Sequence, residues 1–351
     1  MLKKFPTLCC LVVSALLSSP SAMAALSAGE VLQQFNLVVL QSINSNSHVD
    51  GRTYAGGSVN GGDYAQHGSN LPVSAYAGLT AGGAVSNVHV NGMGAAVGGS
   101  IANSVVNQGE SVVHGAAANT TFNGQAYVGG ATTGVNFNGG RASSMGAASA
   151  AMQAADAAAG STDFGQVMSA LSAQLSLLPS TGSWVDVSGN KATFNAVADA
   201  NGLAVFDLTQ IDTQLFGLGE FQFNLGNAST VLFNTDNASY DFSTNFLGGS
   251  ATLLGTRAIW NFYDADSIAI NNQFGGVVLA TGAALTNRQN IEGTVVVASL
   301  DQQGEIHQQD FAGSLPPPPS SDEQVPEPGS LALLALALGL LGWRLRSHRR
   351  N

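Results

Sequence analysis

Tyr54-Ala-Gly56-Gly57-Ser-Val-Asn60, Ala81-Gly82-Gly83-Ala-Val85, Val97-Gly98-Gly99-Ser-Ile101 and Tyr127-Val-Gly129-Gly130 are versions of one short unit. Each sets small or β-prone residues around a glycine pair. Several are followed by a second turn, as at Asn91-Gly92, Gln108-Gly109 and Asn138-Gly139-Gly140. Glycine and asparagine accept positive φ cheaply, so these positions mark corners between short strands. The pairs open at Gly56, Gly82, Gly98 and Gly129, too unevenly spaced to define a strict repeat. Corners about every ten residues fit a sandwich, a barrel or a solenoid. A sandwich buries bulky alternating residues, whereas Ala, Gly, Ser and Val dominate here. Coils stacked about 4.8 Å apart need small residues at their corners. The reading is a mainly β protein built as a β-solenoid, with a β-sandwich as the alternative.

Upstream, Ser27 to Glu30 has the capping-box pattern, with Val31, Leu32 and Phe35 at helical spacing, leading into a strand over Asn36 to Leu40. Downstream, the composition shifts at Arg141. Residues 142–178 read as a helical insertion: an alanine-rich helix from Ala142 to Ala159 with Gly160 as C-cap, then a second helix. That second helix is capped within Ser161-Thr162-Asp163, carries Phe164, Val167, Met168, Leu171 and Leu175 on one stripe, and stops at Pro179. The stripe needs a partner surface. The flank of the β-domain supplies one, and a helix over a sheet edge or an open solenoid end would also block edge-to-edge pairing. From Ser183 to Leu300 the strands resume, longer and more aromatic, as in Ala258 to Phe262.

The two ends carry targeting patterns. Lys3 and Lys4, an apolar run from Leu8 to Leu17 and a small-residue ending read as a signal peptide over 1–24, cut between Ala24 and Ala25 by a signal peptidase after passage through the secretion machinery. Cys9 and Cys10 both lie inside it, so the remaining chain has no cysteine and no disulfide or thiol chemistry. Residues 316–324 form a proline-rich linker. Val325-Pro326-Glu327-Pro328-Gly329 follows, then an apolar helix over 329–343 and the basic tail 344–351. A helix over 329–343 reaches about 22 Å, short of a hydrocarbon core of roughly 30 Å. Between the signal peptide and the basic tail stand five basic residues and 22 acids, a net charge of −17. Such a chain repels nucleic acid.

The C-terminal pattern resembles the PEP-CTERM sorting signal, which an exosortase, a membrane-embedded protease-transpeptidase, recognises. The resemblance implies Val325, Pro326, Glu327 and Pro328 as the sorting motif and a transient stop in the inner membrane before release to the cell surface. The region 25–315 resembles the choice-of-anchor A domain family. The stretches that carry this are Phe35 to Leu40, His48-Val-Asp50-Gly51-Arg52, Trp260-Asn261-Phe262 with Asp264, Asp266 and Ile268, Asn290 to Val295, and Gly304-Glu305-Ile306-His307 with Phe311. The resemblance implies a right-handed β-helix with a flanking helix, an adhesive role and no catalytic residues. Exopolysaccharide or cell-envelope components are then the expected partners, with a structural or adhesive part in a biofilm.

Other chemistries have less behind them. The histidines of the region 25–315 (His48, His67, His89, His114, His307) are scattered without a ligand-type pair, so the expectation is no metal and no nucleophilic site among them. A carbohydrate-active enzyme would need paired carboxylates, for which Asp264 and Asp266 are the candidates, although turn and capping roles suit them better. Asn234 to Asp241 clusters hard oxygen donors, making Asp236 and Asp241 candidate calcium ligands without EF-hand spacing. Ice binding is a further alternative, against which stands the lack of a T-x-T ladder.

Overall fold

Three-residue strands stacked in parallel carry the architecture. The computed structural model describes residues 23–67 and 72–317. Leu37–Val39, Thr53–Ala55, Leu79–Ala81, Ala95–Val97, Ser111–Val113 and Ala126–Val128 pair each with the next, with Leu37, Thr53, Leu79, Ala95, Ser111 and Ala126 in register. A second face stacks Ile43–Ser45, Val59–Asn60, Val85–Ser86, Ile101–Ala102, Ala117–Ala118 and Thr132–Thr133. A third runs from His48–Val49 to Asn136–Phe137. The protein is therefore a three-faced parallel β-solenoid.

The repeat is stricter than the spacing of the glycine pairs suggested. The wide gap from Gly56 to Gly82 is one coil, lengthened by an excursion before Leu79. The wider gap from Gly98 to Gly129 is two coils, because Ser111–Val113 lies between Ala95–Val97 and Ala126–Val128. In that intervening coil His114-Gly115 stands where the coils on either side have Gly-Gly. Both glycines of the pair stack backbone to backbone: a Cβ on Gly82 or Gly98 would lie 2.4 or 2.6 Å from the carbonyl oxygen of the glycine one coil away. A Cβ on Gly83, Gly99 or Gly115 would lie 2.7, 2.7 or 2.6 Å from the carbonyl carbon of the glycine one coil away. A second corner is left-handed: Asn87, Asn103 and Asn119 have φ of 58°, 50° and 48° and fall at equivalent points of successive coils.

Coil order is not chain order. Leu37–Val39 pairs on one side with Thr53–Ala55 and on the other with Val295–Gln302, so the first N-terminal coil lies against the last C-terminal one. The N-terminal half grows away from this seam and ends at Arg141–Ala142. The C-terminal half starts at the opposite end with Leu203–Asp207 and returns through Thr230–Thr235, Ala258–Phe262 and Val277–Asn287 to Val295–Gln302. Val205, Leu232 and Ile259 are successive register partners there, so the first coils of this half are longer than those from Leu79 to Ala126. Longer coils enclose more volume, and aromatic residues fill it. Trp260 is fully buried, stacks on Phe233 at 3.9 Å and donates its indole N–H to the Gly275 carbonyl at 2.9 Å. The shorter coils are filled mostly by Val, Ala, Leu and Ile. Among the described residues one strand pair, Trp184–Ser188 with Lys191–Asn195, is antiparallel, which sets the sandwich alternative aside.

The longest helices beside the solenoid are α1 (Ala28–Gln34), α2 (Ala150–Ala159) and α3 (Phe164–Ser176). The expected capping box forms on α1 between Ser27 and Glu30, and Asp163 caps α3. Helix α2 begins at Ala150 and not at Ala142, because Arg141–Ala142 completes the last coil and Ser149 supplies the cap. Phe164, Met168, Leu171 and Leu175 of α3 are buried with Val205, Leu232, Ile259 and Val277 of the first face. Burying four such side chains contributes roughly 6–12 kcal/mol as an upper estimate. The C-terminal turns of α3 dock through two buried asparagines. Asn261 accepts from Ser172 Oγ at 2.6 Å and donates to the Ser172 carbonyl at 3.0 Å, while Asn234 donates to the Leu175 carbonyl at 2.8 Å. The helix thus packs on the flank of the β-domain as expected, over the face of the strands and not over a sheet edge or solenoid end.

Candidate functional site

The stretches singled out in the sequence meet at the seam. Asn36 donates its amide to the carbonyls of Gly293 and His307 at 2.8 and 3.1 Å, and accepts from the Gly51 amide at 3.1 Å. Thr294 donates its hydroxyl to the Phe35 carbonyl at 3.1 Å. Arg52 is fully buried and donates to the carbonyls of Tyr76, Gln34 and Pro72 at 3.0, 3.0 and 3.2 Å. Burial pulls its pKa down to about 10, opposed by the charge of Asp310. The side chains of Asn36 and Thr294 therefore tie the two halves together, while Arg52 locks the N-terminal side of the seam.

On the third face, the same junction gathers ionisable groups. His48 lies on the first strand of the N-terminal half, and His307 ends the last strand of the C-terminal half; Val49 and Ile306 are register partners. His307 Nδ1 is 2.8 Å from Glu292 Oε1, and its Nε2 is 2.7 Å from Glu305 Oε2. His48 Nδ1 is 3.7 Å from Glu305 Oε1, and its Nε2 is 3.5 Å from Asp50 Oδ1. His67 Nδ1 also approaches Asp50 Oδ1, at 2.9 Å, yet this buried oxygen receives no aligned hydrogen bond. Burial works against a charge on His307, but the hydrogen bonds with Glu305 and Glu292 outweigh it and raise its pKa. The hydrogen bond from His307 holds the Glu305 carboxyl below its ordinary value. Histidine spacing along the chain carries no sign of this cluster, since His48 and His307 stand near opposite ends of the region 25–315. The only trace was that both fall within stretches resembling one family.

The second face is long and even. Its outward ladder runs Asn44, Asn60, Ser86, Ala102, Ala118 and Thr133 through successive coils. Ser86 Oγ and Asn87 Nδ2 both donate to Asn60 Oδ1, at 3.0 and 2.9 Å.

The remaining candidates are dispersed. Asp236 follows strand Thr230–Thr235, and Asp241 lies within Ser239–Phe242, where it accepts from Asn271. Burial, then the charge of Asp212, raises the pKa of Asp236. Asp264 and Asp266 are exposed on the turn between Ala258–Phe262 and Ser267–Ile270, not along one strand. Ala24 and Ala25 are exposed, outside any regular element. Val325, Pro326, Glu327, Pro328, the apolar stretch and the basic tail lie outside the described residues. Among the described residues, no helix is long and apolar enough to cross a membrane.

A parallel solenoid entered at its middle, closed by a polar seam and braced by a helix along one face, defines the class. Residues 28–308 match the family described as "Putative Ice-binding-like adhesive domain", and the chain belongs to it. Residues 324–350 match the PEP-CTERM protein-sorting motif. Adhesive-type domain and sorting motif together support an exported surface protein processed by an exosortase. No curated protein and no solved structure matches the chain.

Proposed function

We propose that the region 25–315 is a non-catalytic adhesin of the extracellular matrix, released to the surface by cleavage at the Pro326-Glu327-Pro328 motif after removal of residues 1–24. The observation that carries the adhesive reading is the second face. Small and amide side chains repeat there once per coil, on a backbone that parallel pairing holds rigid. A polymer with its own regular spacing of hydroxyls meets hydrogen-bonding groups at Asn44, Asn60, Ser86 and Thr133 and flat apolar contact at Ala102 and Ala118, and avidity multiplies these weak contacts. The excess of acids over basic residues favours neutral over polyanionic polysaccharide.

Retention of residues 25–315 on the organism's own exopolysaccharide tests this. Asn60→Glu with Ala102→Glu places bulk and charge on the ladder, and should weaken binding at least tenfold with an unchanged circular dichroism spectrum. Equal binding by this variant, or no binding by the unaltered protein, would reject the reading. Thermal hysteresis without polysaccharide retention would assign the face to ice instead.

A further inference from the structure

We propose that the seam cluster is a divalent transition-metal site, with His48 Nδ1, His307 Nε2 and a carboxylate oxygen of Glu305 as ligands. One ligand atom from each of these residues lies within 4.8 Å of the others. A zinc-like ion with bonds of about 2.0–2.1 Å needs ligand atoms roughly 3.3 Å apart, which rotation of the partly exposed side chains supplies. Two imidazoles and one carboxylate form a donor set for zinc, cobalt or nickel, whereas calcium takes oxygen ligands. Solvent can fill the remaining position.

The surroundings separate this site from a chance meeting of three surface groups. A metal-bound imidazole ordinarily donates its other N–H to a carboxylate or carbonyl, which fixes the ring and strengthens the donor. His307 has such a partner, and a carboxylate stands near the other nitrogen of His48. Glu292 Oε1 holds His307 Nδ1 at 2.8 Å, and Glu292 is itself buried and accepts from Gln273 at 3.0 Å. Buried Asp50 Oδ1, without an aligned hydrogen bond, faces His48 Nε2 at 3.5 Å. Glu305 is steadied by Asn290 Nδ2 at 3.3 Å. The ligands come from opposite halves of the chain, His48 from the first coil and Glu305 with His307 from the end of the last. A bound ion would therefore staple the seam and stabilise the whole solenoid, because it binds the folded junction and not the unfolded chain.

Zinc and cobalt titrated into residues 25–315, with isothermal calorimetry, cobalt absorption spectra and thermal unfolding as readouts, test the site. One ion per chain should bind, with visible cobalt bands of low coordination number and a rise in Tm of several degrees. His48→Gln and Glu305→Gln alter partly exposed side chains, so their folding can be verified by circular dichroism; each should weaken binding at least tenfold. Glu292→Gln should weaken it about 10- to 100-fold by loosening His307. Calcium should neither bind here nor shift Tm. No saturable one-to-one binding, or undiminished binding by a folded His48→Gln/His307→Gln variant, would overturn the proposal.

Discussion

Gly99→Ala is the sharpest test of how the coils stack. Gly99 sits at the second place of the corner pair, and a Cβ there would lie 2.7 Å from the carbonyl carbon and 2.7 Å from the carbonyl oxygen of Gly83, and 2.8 Å from the amide nitrogen of Ala84. All three are backbone atoms of the neighbouring coil, and Gly115 stacks on Gly99 from the other side. Ordinary contact at about 3.5 Å would require a shift of roughly 0.8 Å in a backbone held by ladders on both sides. Overpacking of a tight interior costs about 1–3 kcal/mol, and the lack of a flexible neighbour places this case near the top of that range. For a domain of this size that corresponds to a fall in Tm of about 6 °C, at roughly 2 °C per kcal/mol. Gly160→Ala is the paired control: its φ is −106° and an added Cβ meets nothing within 4 Å. It should change stability by less than about 0.5 kcal/mol. Thermal unfolding of both variants of residues 25–315, followed by circular dichroism, decides the matter. Should Gly99→Ala melt within about 1 °C of Gly160→Ala, close glycine stacking is not what sets the corner.

Asn261→Ala removes the buried amide that ties α3 to the strands and leaves Ser172 Oγ without its acceptor; urea unfolding should show a loss of about 2–4 kcal/mol. Burial raises the pKa of Tyr64 and Tyr240 above the ordinary value of 10.0. A group whose folded-state pKa is raised contributes stability that is fully present below the unfolded value and is lost as pH climbs toward the folded one, so stability should fall as pH rises past about 10. Spectrophotometric titration should then show these two phenols ionising only on unfolding. Replacing Asp264 and Asp266 together by Asn should leave polysaccharide retention unchanged, since both are exposed on a turn; a degrading activity abolished by this change would make the protein an enzyme. For the tail, mass spectrometry of the surface protein should find no peptide from Leu331 onward, and Glu327→Ala should retain the full-length form in the inner membrane. Recovery of the C-terminus through Asn351 would reject processing.

Features set by local chemistry were legible along the chain. Glycine pairs marked the corners because successive corners there approach one another backbone to backbone. Ser27 and Asp163 marked two helix starts because a cap acts within three residues, and the apolar stripe of α3 announced a buried face. The tail was legible because its signal is a linear pattern. The order of the coils, the regularity concealed by the excursion before Leu79 and by His114, and the seam emerge only in three dimensions. Parallel strands need no nearness in sequence, so nothing local says that Leu37 is the register partner of Val295 or Val49 that of Ile306. The five scattered histidines of the region 25–315 therefore read as unrelated until that pairing set His48 and His307 on either side of Glu305, with Glu292 and Asp50 behind them.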